Sequence, residues 1–163
     1  MPEGRHHRKR WWEDLITGGP TPTELLLVVT HAMIDSTTTS MEGYRTETYV
    51  DDQTVTIDAG SEAGPRPTEA LVASYASCYT VALRIGAQQR DAGDLGRVEI
   101  DAEADRDTDD NLEAIRFAVA VESDLDDEIL GAIVERANAL CHVHDALREG
   151  LHADVSIRGN ASW

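Results

Sequence analysis

GPRPTEALVASYASCYTVALRIGAQQ, residues 64–89, is the stretch on which the fold turns. Gly64, Pro65 and Pro67 read as the end of a loop, Thr68 is a good helix N-cap, and Glu69 suits a first turn, where free N–H groups favour a carboxylate. A helix is therefore predicted to run from there to about Gln89 and to stop before Asp91-Ala92-Gly93. Between Ala70 and Ala87 nearly every position is apolar or small, close to the lower limit for a membrane span. Ser74, Ser77, Thr80 and the charged Arg84 argue instead for a helix buried in protein. Cys78 stands in its middle.

On the N-terminal side, Tyr44 to Val50 and Thr54 to Asp58 are β-branched and aromatic runs around Asp51-Asp52-Gln53, which predicts a hairpin, followed by a Gly/Pro loop from Gly60 to Pro67. On the C-terminal side, Arg97 to Ala104 and Ala114 to Ser123 alternate apolar and polar residues, as strands with one wet face do. Leu125 to Leu140 carries an apolar stripe at helical period. A short helix from about His142 to Glu149, a stop at Gly150 and a strand from His152 to Ile157 close the chain. The predicted order β-β-α-β-β-α-α-β is α+β, with helices grouped around antiparallel strands.

The chain has 163 residues, enough for one domain with a real core. Asp and Glu number 31 against 14 Lys and Arg, a net charge of −17, so the outer field repels nucleic acid and anionic membranes. Lys9 is the sole lysine, and the carboxylates are spread along the sequence, like the surface of a halophile's cytosolic protein. Two cysteines are too few for a secreted disulfide scaffold, and no leader pattern opens the sequence, so a reducing cytoplasm is the expected location.

Residues 1–41 are expected to form a flexible extension, with a basic island at Arg5 to Arg10 and a Thr/Ser-rich stretch from Asp35 to Ser40, ahead of a domain spanning 42–163. Within the extension, Gly19-Pro20-Thr21-Pro22-Thr23-Glu24-Leu25-Leu26 echoes Gly64 to Leu71, and Met33 occupies the place equivalent to Cys78.

Cys78 and Cys141 are the candidates for chemistry. Cys141 falls where one helix ends and a shorter one begins, so the helix dipole and His142 should ease its ionisation. Cys78, packed mid-helix, should need a cation to become a thiolate. Arg66 can supply one and Glu69 can orient it. Yet Glu69 and Cys78 lie nine residues apart, about 180° around and roughly 13 Å along a straight helix. Either the helix breaks, or the pair serves the cysteine of a second subunit across a two-fold axis. A metal cluster of Cys141, His142, His144 and Cys78 is a further possibility, though adjacent Cys-His presents ligands poorly.

Gly64-Pro65-Arg66-Pro67-Thr68-Glu69-Ala70-Leu71 followed by Cys78 resembles the G-P-x-P-x-E-x-L…C segment of the OsmC/Ohr superfamily. Cys141-His142-Val143-His144-Asp145-Ala146-Leu147 is similar to its C-P-V-x-x-x-L motif. The 63-residue spacing of the cysteines also fits, so the likeness covers about residues 43–158. It implies an α+β fold with antiparallel sheets, a buried central helix bearing the first cysteine, and an intertwined homodimer with two thiol sites at its interface. It also implies a thiol-dependent organic hydroperoxide reductase needing no cofactor or metal: Cys78 attacks the peroxide, Cys141 resolves, Arg66 activates and Glu69 orients. A dithiol would be the reductant, and oxidative stress defence the role.

Three departures bear on activity. The glutamate of the well-studied peroxidases falls at Thr68, with Glu69 one residue later. Their hairpin arginine has no match at Asp51-Asp52, and His142 replaces a proline. The alternative is a non-catalytic redox sensor or small-molecule binding module of the same fold.

Overall fold

The computed structural model describes residues 34–163. By its contacts the chain divides after Ser36, and the second unit, Thr37–Trp163, is the domain treated below. The basic island, the echo of the Gly-Pro motif and most of the expected extension lie outside the described residues.

Three strands open the domain: β1 (Ser36–Thr39), β2 (Arg45–Val50) and β3 (Gln53–Asp58), in that order across one sheet. β1 was not expected. Its sequence STTT lacks an apolar alternation, and Thr38 holds to the sheet through a hydroxyl contact of 2.9 Å with Thr48. The hairpin matches its prediction within a residue or two, with Arg45 opposite Asp58 and Val50 opposite Gln53. Asp51 takes the left-handed conformation (φ 51°) that a two-residue turn of this kind requires.

The connection from β3 to the central helix is wound around Asp58. Its carboxylate accepts N–H bonds from Gly60 (2.8 Å), Glu62 (3.3 Å) and Ala63 (3.1 Å), while its own N–H donates to Pro65 O at 3.0 Å. Gly64 passes so close to the hairpin that a Cβ would lie 2.6 Å from Thr56 O. Arg66 is thereby delivered to the start of the helix. The backbone N–H bonds hold the Asp58 carboxyl below the usual carboxylate range. A group with a depressed folded value stabilises above its unfolded value, near 3.9, and loses that contribution as pH falls through the folded one. Asp58→Ala should therefore lower the melting temperature at pH 7, with a gap to wild type that narrows below pH ~4. Thermal unfolding at pH 7 and pH 3 checks this; a gap independent of pH would remove the carboxylate from the argument.

Helix α1 (Pro67–Gln89) starts one residue earlier than expected: Arg66 is the N-cap, and Thr68 lies inside the first turn. Arginine offers no acceptor, so half a capping box forms, with Glu69 Oε2 accepting the Arg66 N–H at 2.9 Å. The helix is apolar and long enough to cross a membrane by length and composition, yet Val72, Tyr75, Tyr79, Ala82, Leu83, Gly86 and Ala87 bury one face in the protein core. Burying each large side chain contributes roughly 1.5–3 kcal/mol. Its other face, including Leu71, Val81 and Ile85, is bare in the protomer.

Strands β4 (Val98–Arg106) and β5 (Leu112–Val121) pair antiparallel, as the alternation predicts. β6 (Asp154–Arg158) then lies parallel to β5, a departure from an all-antiparallel sheet. The reason is the length of the crossover: helix α2 (Asp127–Leu140), the short α3 (His142–Ala146) and a 3-10 turn (Glu149–Leu151) carry the chain back to the end at which β5 began. Asp126 caps α2 by accepting the Ile129 N–H at 2.8 Å. The core lies between the inward residues Ile115, Phe117, Val119 and Val121 of β5 and the two long helices. Gly86 permits close approach of those helices, since a Cβ there would meet Ile133 O at 3.2 Å.

Candidate functional site

Cys78 lies on α1, three residues after Tyr75. Cys141 ends α2 and begins α3: its N–H donates to Ala137 O at 2.9 Å, and its sulfur accepts the His144 N–H at 3.4 Å. The packing of α1 against α2 and α3 brings the two thiols near enough for Cys78 to act on the ionisation of Cys141, both as free cysteines. The sequence marked these two residues, and the fold brings them together across 63 positions.

Their environments reverse the expected order. Cys141, expected to ionise easily, is 1% exposed, whereas Cys78 is half-buried. Burial pushes the Cys141 thiol up to about 11, helped by the neighbouring Cys78; the His144 and Val143 N–H groups at the start of α3 pull the other way and lose. One short helix cannot offset the desolvation of a charge this deep in the core. Iodoacetamide at pH 8 should accordingly label native Cys78 well ahead of Cys141, as read by peptide mapping. Equal labelling would count against the burial argument.

Arg66 and Glu69 do not join the thiols within the protomer. α1 is continuous from Pro67 to Gln89, so the broken-helix route is closed. Glu69 is exposed and accepts the backbone N–H of Arg66 rather than its guanidinium. Arg66 Nε is buried with no hydrogen-bond partner among the described residues.

Of a second layer of residues around the thiols, only His144 was singled out from the sequence, and as a metal ligand. Tyr75 OH contacts His144 Nδ1 at 2.5 Å and accepts the Ala153 N–H at 3.1 Å. The His144 and His152 rings stack with centroids 3.9 Å apart. Tyr79 donates to Asn138 Oδ1 at 2.6 Å, fixing α1 to α2 one residue beyond Cys78. Tyr75 and Tyr79 both pack on Phe117, at 4.8 and 5.5 Å. Burial raises the pKa of both phenols, so they stay protonated at neutral pH. The available signal was positional: Tyr75 three residues before one cysteine and His144 three after the other share their faces on helices. His142, by contrast, is exposed, and Tyr75 occupies Nδ1 of His144, so the two histidines do not converge on the thiols as ligands.

Residues 59–156 match the family model described as OsmC-like protein. A protein of the halophilic archaeon Haloferax volcanii, described as uncharacterized, is 50% identical over 128 residues, covering 78% of this chain and 97% of that protein. Among solved structures, an OsmC-like protein from Mycoplasma pneumoniae has a TM-score of 0.70 at 18% identity, covering 78% of this chain and 96% of its own. The organic hydroperoxide resistance protein OhrB of Bacillus subtilis has a TM-score of 0.60 at 20% identity, covering 77% and 98%. At these identities the structural likeness is one of fold.

Proposed function

Because the chain belongs to the OsmC-like family, we propose that it is a cysteine-based reductase of organic hydroperoxides acting in oxidative stress defence. The observation that carries this reading is the closeness of two free thiols of unequal exposure, near enough for Cys78 to help push the Cys141 thiol up. Cys78, the more accessible, attacks the terminal peroxide oxygen; the O–O bond breaks, the alcohol leaves with a proton, and Cys78 becomes a sulfenic acid. Cys141 then attacks that sulfur, and its thiol proton departs with the hydroxyl as water, leaving a disulfide. A dithiol reductant restores both thiols. The buried Cys141 suits the resolving role, since a protonated thiol near Cys78 does not compete for peroxide.

Activation of Cys78 is assigned to Arg66, with Glu69 orienting it, from a second copy of the chain. Support comes from α1, where Leu71, Ser74, Cys78, Val81 and Ile85 follow one another at spacings of three and four, the seam spacing of paired helices. Leu71, Val81 and Ile85 on this seam are exposed in the protomer. The hairpin adds exposed Tyr44, Tyr49 and Val55. Covering such faces is what a homodimer does. The apolar seam beside Cys78 also favours a greasy peroxide over hydrogen peroxide. The −17 charge fits a cytoplasmic protein without nucleic-acid or membrane partners.

The test is titration of the reduced, anaerobic protein with an organic hydroperoxide, read by intact mass. Loss of two hydrogens per chain near one equivalent supports the reading; thiols surviving excess peroxide overturn it. Survival would favour the second reading, a non-catalytic redox sensor or binding module, which the Asp51-Asp52 turn and the Arg66 Nε without a hydrogen-bond partner among the described residues support.

A further inference from the structure

Beside the two thiols lies a group of titratable side chains, Tyr75, His144 and His152, whose bonds reach both cysteine-bearing elements. The His144 N–H donates to the Cys141 sulfur, and the His144 ring meets the Tyr75 hydroxyl, whose helix carries Cys78 one turn on. The Ala153 N–H already donates to the Tyr75 oxygen, so the phenol proton needs an acceptor of its own in a buried setting. His144 Nδ1 is the acceptor in place. That fixes His144 as the neutral tautomer protonated at Nε2.

We propose that Tyr75 and His144 are a positioning pair that holds the Cys141 sulfur against Cys78, and that the hold requires His144 to be neutral. The inference rests on the thiol-pair reading of the site, and it concerns disulfide closure rather than peroxide attack. The pair acts as a strut: the ring bond ties α3 to α1 at Tyr75, and the backbone bond of the same histidine ties the sulfur to α3. With both sulfurs held, closure of the disulfide has less freedom to remove. A proton on Nδ1 would make that nitrogen a donor and leave the buried phenol O–H without its acceptor, and the strut would loosen.

The groups facing His144 decide when that happens. Tyr75 comes from α1 as a neutral phenol, Cys141 and Asp145 flank it on α3, and His152 stacks on it from the approach to β6. Burial is the leading influence and, with His152, holds the imidazole below its ordinary range, while Asp145 pulls weakly upward. The neutral form, and the strut, is therefore fully present above pH ~6.5 and is lost as pH falls through the lower folded value.

Equilibration of the full-length protein with reduced and oxidised glutathione tests this, with the Cys78–Cys141 disulfide counted by intact mass after acid quench. Glutathione is largely protonated between pH 5 and 8 and burial holds Cys141 as a thiol, so the dependence owed to His144 is read as the difference between wild type and His144→Gln across that range. Wild type should show a constant that falls several-fold towards pH 5. Tyr75→Phe and His144→Ala should lower it at pH 8 by up to about tenfold, the equivalent of one buried hydrogen bond. His144→Gln keeps an acceptor for the phenol and should stay within about twofold of wild type at pH 8, without the wild-type fall towards pH 5. Constants unchanged in Tyr75→Phe and His144→Ala, or His144→Gln as impaired as His144→Ala, would overturn the proposal. Glutathione exchange needs no peroxidase activity, so a chain that behaves as expected here but ignores peroxide would sink the proposed function and leave the strut standing.

Discussion

Cys78→Ser protein should consume no organic hydroperoxide above the uncatalysed rate, whereas Cys141→Ser protein should consume about one equivalent in forming the sulfenic acid and then only what slow over-oxidation of that sulfur takes, without turning over. The two losses differ because the sulfurs are not equivalent. Cys78 is half-buried beside a bare helix face, while Cys141 is 1% exposed and held as a thiol by burial. Serine at 78 removes the attacking sulfur outright. Serine at 141 leaves the attack intact but removes the group that traps the sulfenic acid, so further peroxide should drive Cys78 to sulfinic acid, two oxygens heavier by mass. A coupled assay with a dithiol reductant would show no turnover in either variant, which is why the single-turnover count is the informative measurement. Consumption by Cys78→Ser equal to wild type would remove the enzyme reading altogether.

The sequence carried the elements around the site better than the charges within it. The hairpin, α1, the β4–β5 pair and α2 each repeat a periodicity with few exceptions, and their bounds fall within a few residues of prediction. β1 escaped because STTT pairs by backbone and hydroxyl bonds that no apolar pattern announces. The parallel placement of β6 depends on where a crossover of two helices and a turn delivers the chain, a property of the assembled domain rather than of residues 154–158. Cys141 shows the same limit in electrostatics. Its helix-cap position is local and was legible, whereas its burial comes from α1, and burial sets the sign of the shift. Tyr75 and His144 stand 69 residues apart, and only the packing of α1 on α3 turns an unremarked tyrosine and a histidine read as a candidate metal ligand into partners. Arg66 and Glu69 remain the open part of the site, since the unbroken helix keeps Glu69 away from Cys78 within one protomer.

That problem yields the second large effect. If two α1 seams pack about a two-fold axis, the loop and first turn of one helix reach towards the middle of the other, and a guanidinium from one chain can meet the thiol of its partner. Val81, 56% exposed on the seam, is where a charge should hurt most. Val81→Glu should convert a particle of twice 17.8 kDa into one of 17.8 kDa by light scattering, and peroxide turnover should disappear with the dimer although Cys78 and Cys141 remain in place. A variant that stays dimeric would move the interface off this seam. Loss of activity alone would leave open whether Arg66 acts across the interface, and a mixture of two dead proteins decides it. In a dimer of one Cys78→Ser and one Arg66→Ala chain, the surviving Cys78 faces the surviving Arg66 only if the arginine acts on the partner's thiol. Random exchange makes half of all dimers mixed, each with one complete site of two, so about a quarter of wild-type turnover should return. An arginine acting on its own chain would leave every site in that mixture incomplete, and the mixture as inactive as its parts.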